Sequence, residues 1–276
     1  MQICFASPIG RKTRGPMSPL TRLLGCITLL PAVASAFQPL VTDDTGTQGA
    51  RGNQVEAAYN RTVDKAPGTQ DITHGVPLVF TRGVSDALDL YVGLSSQRIV
   101  PTAPATEERG WSNTSAGAKW RFYDDEASKL SFGLKPEIQF PVSTDKEARG
   151  LGTARTSYSV SLLMTQETGF GAVHANLAVA RVNYADAALN AAERSTRYRL
   201  SVAPVWDVAE GWKLALDTGI ITNPDNAARA RMGYVEIGAI YSPDKNLDLA
   251  LGVVRNIMDG SAETTQVTIG FTWRFR

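Results

Sequence analysis

The sequence predicts an all-β fold: a transmembrane up-and-down antiparallel β-barrel of about twelve strands, with short periplasmic turns and longer extracellular loops. Three observations predict it. Apolar and polar residues alternate with a period of two over most of the chain, the connections alternate between tight turns and long loops, and aromatic residues collect at strand ends.

Composition alone gives no such hint. The 276 residues are 43% hydrophobic and 20% charged, with 28 basic against 27 acidic residues, averages typical of a globular protein. That apolar content excludes wholesale disorder, and near-neutral charge argues against a nucleic-acid binder. No apolar run reaches the 18 residues of a membrane helix, since the richest, residues 23–36, is broken by Pro31.

The first 36 residues read as a secretory signal cleaved before Phe37. Arg11, Lys12, Arg14 and Arg22 precede the apolar segment from Leu23 to Leu30, and Ala34-Ser35-Ala36 supplies small residues for the peptidase. Initiation at Met17 would give a leader of more usual length. Arg22 lies too close to Cys26 for Leu23-Leu24-Gly25-Cys26 to serve well as a lipidation box. Cleavage leaves 240 residues with a formal charge of −3 and neither Cys4 nor Cys26, so the exported chain carries no disulfide. Residues 37–51 then read as a periplasmic N-terminal segment and residues 52–276 as the barrel.

The strands are expected near 53–61, 75–82, 87–96, 114–123, 129–140, 156–166, 172–180, 196–206, 212–221, 232–241, 247–254 and 264–275. In the last, Val267, Ile269, Phe271, Trp273 and Phe275 alternate with Gln266, Thr268, Gly270, Thr272 and Arg274. One face suits lipid and the other water, because charges between apolar neighbours cannot enter a dry core. Tight turns such as Gly83-Val84-Ser85-Asp86 and Asp207-Val208-Ala209-Glu210-Gly211 are expected at the periplasmic end. Longer loops are expected near 62–74, 97–113, 141–155, 181–195, 222–231 and 255–263. Trp120, Phe122, Trp206, Trp212, Tyr241, Trp273 and Phe275 fall at the periplasmic strand ends as one girdle, with Phe140, Tyr158 and Tyr198 at the opposite ends. The competing soluble sandwich or lipocalin-like barrel explains neither the leader nor the loop asymmetry.

Several segments resemble a known family. They are Gln38-Pro39-Leu40-Val41-Thr42-Asp43-Asp44, the stretch from Gly83 through Asp86, Leu88, Tyr91 and Gly93 to Leu94, Ser115-Ala116-Gly117-Ala118-Lys119-Trp120, and Leu134-Lys135-Pro136-Glu137. With them the chain resembles the outer-membrane proteins of the phenol-degradation MetA-pathway family, often described as transporters. The resemblance implies a Gram-negative outer-membrane barrel and passage of small organic or aromatic compounds. In one departure, Arg276 follows Phe275, where such barrels commonly end on an aromatic residue.

Polar parity turned inward places Lys119, Arg121, Lys135, Glu137, Arg199, Asp217 and Glu236 in the lumen as candidate constriction residues, with Asp89, His174, Arg197, Lys213 and Asp248 also inward. Lys119 should lie opposite Lys135, and Asp217 opposite Glu236, forming a belt of mixed sign. Such a belt either filters solutes or simply fills and stiffens the lumen. Catalysis finds little support. His74 is expected in the first loop and His174 on the seventh strand near Thr165, neither with a serine and orienting group at triad spacing. No metal or cofactor site is expected, and Asp43-Asp44 and Asp124-Asp125-Glu126 read as turn or solvent carboxylates. Lys146, Arg149 and Arg155 could meet lipopolysaccharide phosphates or simply be solvated.

Expected partners are outer-membrane lipid and lipopolysaccharide, periplasmic chaperones and the barrel-assembly machinery, and a small-molecule solute, with no nucleic acid. The reading is a passive channel for small organic solutes. A non-conducting structural or surface-interaction barrel, plugged by side chains or by residues 37–51, is the alternative, and a lipid- or peptide-acting enzyme is a third.

Overall fold

The computed structural model describes residues 4–5, 27–28, 38–102, 105–258 and 263–276. The leader and its cleavage point lie outside these, apart from a two-residue ladder between Cys4–Phe5 and Ile27–Thr28. The rest forms one closed antiparallel sheet. Its strands are β1 (Asn53–Ala66), β2 (Thr69–Ser85), β3 (Leu88–Val100), β4 (Glu108–Trp111), β5 (Ser115–Asp125), β6 (Leu130–Gln139) and β7 (Ser157–Thr168). There follow β8 (Gly171–Arg181), β9 (Thr196–Ala209), β10 (Trp212–Ile221), β11 (Met232–Asp244), β12 (Leu247–Ile257) and β13 (Glu263–Phe275).

Each strand pairs with its sequence neighbour, and β13 pairs with β1 to close the cylinder. β4 and β5 both pair with β3, at Ser96 to Ile99 and Leu88 to Gly93 respectively, so they form one interrupted stave and the barrel has twelve. Closure removes both edges, which is what a sheet needs where no water can satisfy its backbone.

Burial alternates residue by residue. On β3, Leu90, Val92 and Leu94 are exposed while Asp89, Tyr91, Gly93 and Ser95 are buried. The inversion of the usual pattern, with small or polar residues inside and large apolar ones outside, recurs on β10, β12 and β13. So large an exposed apolar surface marks a lipid-facing wall. The seven girdle residues sit beside the tight turns, and several stack in pairs: Trp212 on Tyr241 at 4.7 Å between centroids, Trp273 on Phe275 at 4.5 Å. Trp212 and Tyr241 are directly opposed in the ladder, which is the cross-strand geometry that makes such pairs stabilising.

Three expectations need correction. The loop expected at 62–74 does not exist: β1 and β2 run on to Ala66 and from Thr69, joined by Pro67 and Gly68, whose φ of 82° suits a tight turn. Polar residues in this hairpin, such as Asp64, Thr73 and His74, looked like loop composition but simply continue the alternation above the membrane band. His74 is therefore on a strand, facing outward beside Tyr59, whose hydroxyl lies 2.6 Å from its Nδ1. Two long loops also carry short helices, α1 (Thr144–Ala148) and α2 (Ala187–Ala192). The buried Glu147 carboxylate ties these loops together, accepting from the backbone N–H groups of Ala154, Ala185 and Asp186.

The third correction is the largest. Residues 37–51 were expected in the periplasm, with a lumen plug by the same segment as the alternative reading, and residues 38–50 run inside the barrel.

Candidate lumen site

The threaded segment starts at mid-depth. Gln38 rests against Gly270 of β13, and Pro39 fits against Gly238 of β11 and Gly252 of β12, where a Cβ at either glycine would fall 2.8 Å or less from the ring. Glycine is needed at both positions because the segment passes so close to the wall. Leu40 packs with Ala203, Val205 and Ala215, and Val41 with Ile221, Met232, Tyr234 and Val254, the two main apolar clusters in the lumen.

From Val41 onward, polar groups take over. The Val41 N–H donates to Glu236 at 3.3 Å, and Thr42 donates to Asp217 through both its N–H at 2.6 Å and its hydroxyl at 2.8 Å. Tyr234 donates a third bond to Asp217 at 2.8 Å. Asn176 clamps the backbone of Asp43, accepting from its N–H and donating to its carbonyl. The Asp43 carboxylate lies between Lys119 at 2.9 Å and Lys135, with Asp44 3.3 Å from Lys119. The segment then descends past Thr45, bonded to Ser131 and Thr165, to Gln48, whose N–H reaches both oxygens of Asp89. It leaves at Ala50, donating to Asp86 in the β2–β3 turn.

Four of the inward residues read from the sequence, Lys119, Lys135, Asp217 and Glu236, meet the segment. Asp217 and Glu236 are directly opposed. Both meet the segment, which supplies N–H donors to a carboxylate pair that would otherwise repel. Lys119 and Lys135 likewise converge on one shared counter-charge rather than on each other. Glu137 stands apart, accepting from Tyr91 at 3.2 Å while Lys135 lies 5.2 Å over the same ring. Arg199 faces inward, its buried Nε without a hydrogen-bond partner among the described residues.

Arg121 is not part of the belt. It sits at the tight-turn mouth, donating to the Asp86 carbonyl and pairing with Asp124 at 3.3 Å. A register shift between Arg121 and Tyr123 displaces this end of β5 from a regular alternation. His174 is inward, opposite Thr165 and 3.0 Å from its hydroxyl, as its position in the hairpin predicts.

Asp43 is the residue the sequence reading missed. It looked like a turn carboxylate, yet it is the charge on which both lumen lysines converge. The motif Val41-Thr42-Asp43-Asp44 next to lumen lysines was a signal, but nothing local said that it folds back.

Burial pushes the Asp43 carboxyl up, but the two ammonium groups outweigh it and hold the group at about 2. A carboxyl depressed in the docked state stabilises docking above its ordinary value of 3.8 and loses that contribution as pH falls through about 2. Single-channel traces should therefore show no acid-driven opening of the segment between pH 7 and pH 5. A conductance step in that window would contradict the pairing.

A row of polar residues lines the lumen away from the two apolar clusters. Along the β1–β13 seam, inward residues pair as Gln54 with Arg274, Glu56 with Thr272, Asn60 with Thr268, Thr62 with Gln266 and Asp64 with Thr264. Buried atoms along this track, including both Glu56 carboxylate oxygens, Asn60 Oδ1 and Asp64 Oδ2, have no hydrogen-bond partner among the described residues. At the tight-turn mouth it opens into a cavity of 880 Å³ lined by Asp44, Thr47, Gln48, Gln54 and Arg274.

The architecture has known counterparts. An outer-membrane channel from Pseudomonas putida F1 superposes with a TM-score of 0.70 at 14% identity, over 86% of this chain and all of that one. The NanC porin superposes with a TM-score of 0.51 at 8% identity, over 79% of this chain and 98% of that one. At these identities the likeness establishes the fold, that of an outer-membrane barrel. No curated protein sequence matches. A family profile does, across residues 36–275, and the chain belongs to the family described as "Putative MetA-pathway of phenol degradation".

Proposed function

We propose that the protein is a passive outer-membrane channel for small organic solutes, aromatic ones included, and that solutes pass along the β1–β13 track beside the threaded segment. The observation that carries this reading is the row of buried, unpartnered polar atoms from Gln54 to Asp64, continuous with the mouth cavity. Buried polar groups without a partner favour water or a polar solute beside them over a dry, fully plugged lumen, and this supports a path between wall and segment. Gln38, resting at Gly270, borders the track.

The acidic groups Glu56 and Asp64 disfavour anions and can accept a hydrogen bond from the hydroxyl of a phenol-like solute. The aromatic preference itself rests on the family's description. The candidate belt residues Lys119, Lys135, Asp217 and Glu236 act through the segment they anchor, setting how much lumen remains. The reading includes no catalytic group and no metal or cofactor.

Reconstitution tests it. Intact folded protein should give small, steady conductance in planar bilayers and should admit phenol-sized neutral solutes to liposomes. Sealed bilayers and no solute entry, both with the intact chain and after deletion of residues 37–50, would establish the non-conducting barrel instead.

A further inference from the structure

The outer wall carries a charge arrangement that the lumen reading does not use. Arg61, His74, Arg98 and Arg109 occupy directly opposed positions on four adjacent strands, β1 to β4, and all point away from the lumen. Arg98 and Arg109 are directly opposed, and like charges so placed repel. Among the described residues, only Arg98 of this row has a carboxylate partner, Glu107, which it grips through Nε and Nη2 at 2.7 Å each. The row thus keeps an excess of positive charge on a surface otherwise made for lipid.

Its height is informative. On β2 the outward residues run Arg82, Phe80, Leu78, Val76, His74, so that polar groups bracket an apolar stretch. Arg82 and His74 are eight residues apart, about 20 Å along the axis for strands tilted near 40°. That is close to the height of a barrel's apolar band, so the row lies at the outer-leaflet interface. Directly beneath it are Val76, Ser96 and the exposed Trp111, with Tyr59 stacked on His74 at 5.9 Å. Aromatic and apolar groups below, guanidinium groups above, match an acyl chain with a phosphate head.

The loop cations are less suited to this. Lys146 donates to the Trp111 carbonyl, and Arg149 pairs with Glu108 at 2.6 Å. The wall is better placed than the loop.

We infer that the Arg61, His74, Arg98 and Arg109 row is a binding site for the phosphate groups of a phosphorylated glycolipid of the outer leaflet, lipid A. Guanidinium forks bind phosphate oxygens bidentately, and a dianionic headgroup relieves the repulsion within the row. This inference does not depend on whether the lumen conducts.

The test uses full-length folded protein in detergent. Diphosphoryl lipid A should remain bound in native mass spectrometry, and dephosphorylated lipid A should bind about tenfold more weakly or worse. Replacing Arg61, Arg98 and Arg109 together by Gln should reduce diphosphoryl lipid A binding to the level of the dephosphorylated lipid, while leaving single-channel conductance unchanged. Equal binding of the two lipids by the native protein would overturn the inference, and that comparison needs no variant. Equal binding by the Gln variant, shown to be folded by its heat-modifiable gel mobility, would overturn it as well. Displacement of the lipid by millimolar inorganic phosphate would assign the row to free phosphate and reject the lipid site.

Discussion

Deleting residues 37–50 should raise single-channel conductance about three- to tenfold, because a chain segment running from mid-depth to the mouth leaves a lumen that a twelve-stranded barrel would otherwise hold open. The ladder that closes the barrel does not involve the segment, so the deleted protein should still assemble. It should be less stable, since Lys119, Lys135, Asp217 and Glu236 lose their partners together. A milder change, Asp43→Asn, removes the shared counter-charge of two buried lysines and should weaken docking of the segment by about 3–5 kcal/mol. Its signature is flickering between a low and a high conductance level. Identical traces from the deletion and the native chain would mean that the segment does not limit the path.

Lys119→Ala combined with Lys135→Ala should have the second largest effect, and a compound one. Taken as plain lumen cations, their loss shifts the reversal potential toward cation selectivity. The structure adds a consequence: Asp43 is left buried without either partner, so the segment should undock and conductance should rise along with the change in selectivity. Bilayer recordings under a salt gradient read both quantities at once. A selectivity shift at constant conductance would show that the lysines line the path without anchoring the segment. An unchanged reversal potential would remove the belt from the path altogether.

How far the sequence goes differs sharply between wall and lumen. Each strand states its own orientation, because Leu90, Val92 and Leu94 against Asp89, Tyr91 and Gly93 can face lipid in only one way. Opposed pairs across a tight turn follow from counting, which is why His174 with Thr165 and Asp217 with Glu236 are both found where the hairpins put them. The β1–β2 hairpin was harder to read. Apart from Val63 and Ile72, its outer half is mostly polar on both faces, so the period-two signal fades although the ladder continues, and His74 reads locally as a loop residue.

The segment that enters the lumen was beyond any such counting. Its contacts join residues 76 positions apart at Lys119 and Asp43, and 195 apart at Val41 and Glu236. No local period encodes a pairing between one irregular segment and six or more strands. Asp43-Asp44 carries the same composition as a solvated turn, and only the closed wall supplies the buried lysines that make it an anchor.

The sequence by itself determined that this chain is a barrel, which face of each strand meets lipid, and which charges the wall turns inward. These are properties of neighbours two residues apart or across one turn. Only the tertiary structure decided what those inward charges meet: they hold residues 38–50 in the lumen and leave a polar track along β1 and β13. It also brought Arg61, His74, Arg98 and Arg109 into one row. Closing a sheet fixes the relative height of distant strands, and that register, set by the sum of every pairing around the barrel, cannot be read from any one of them.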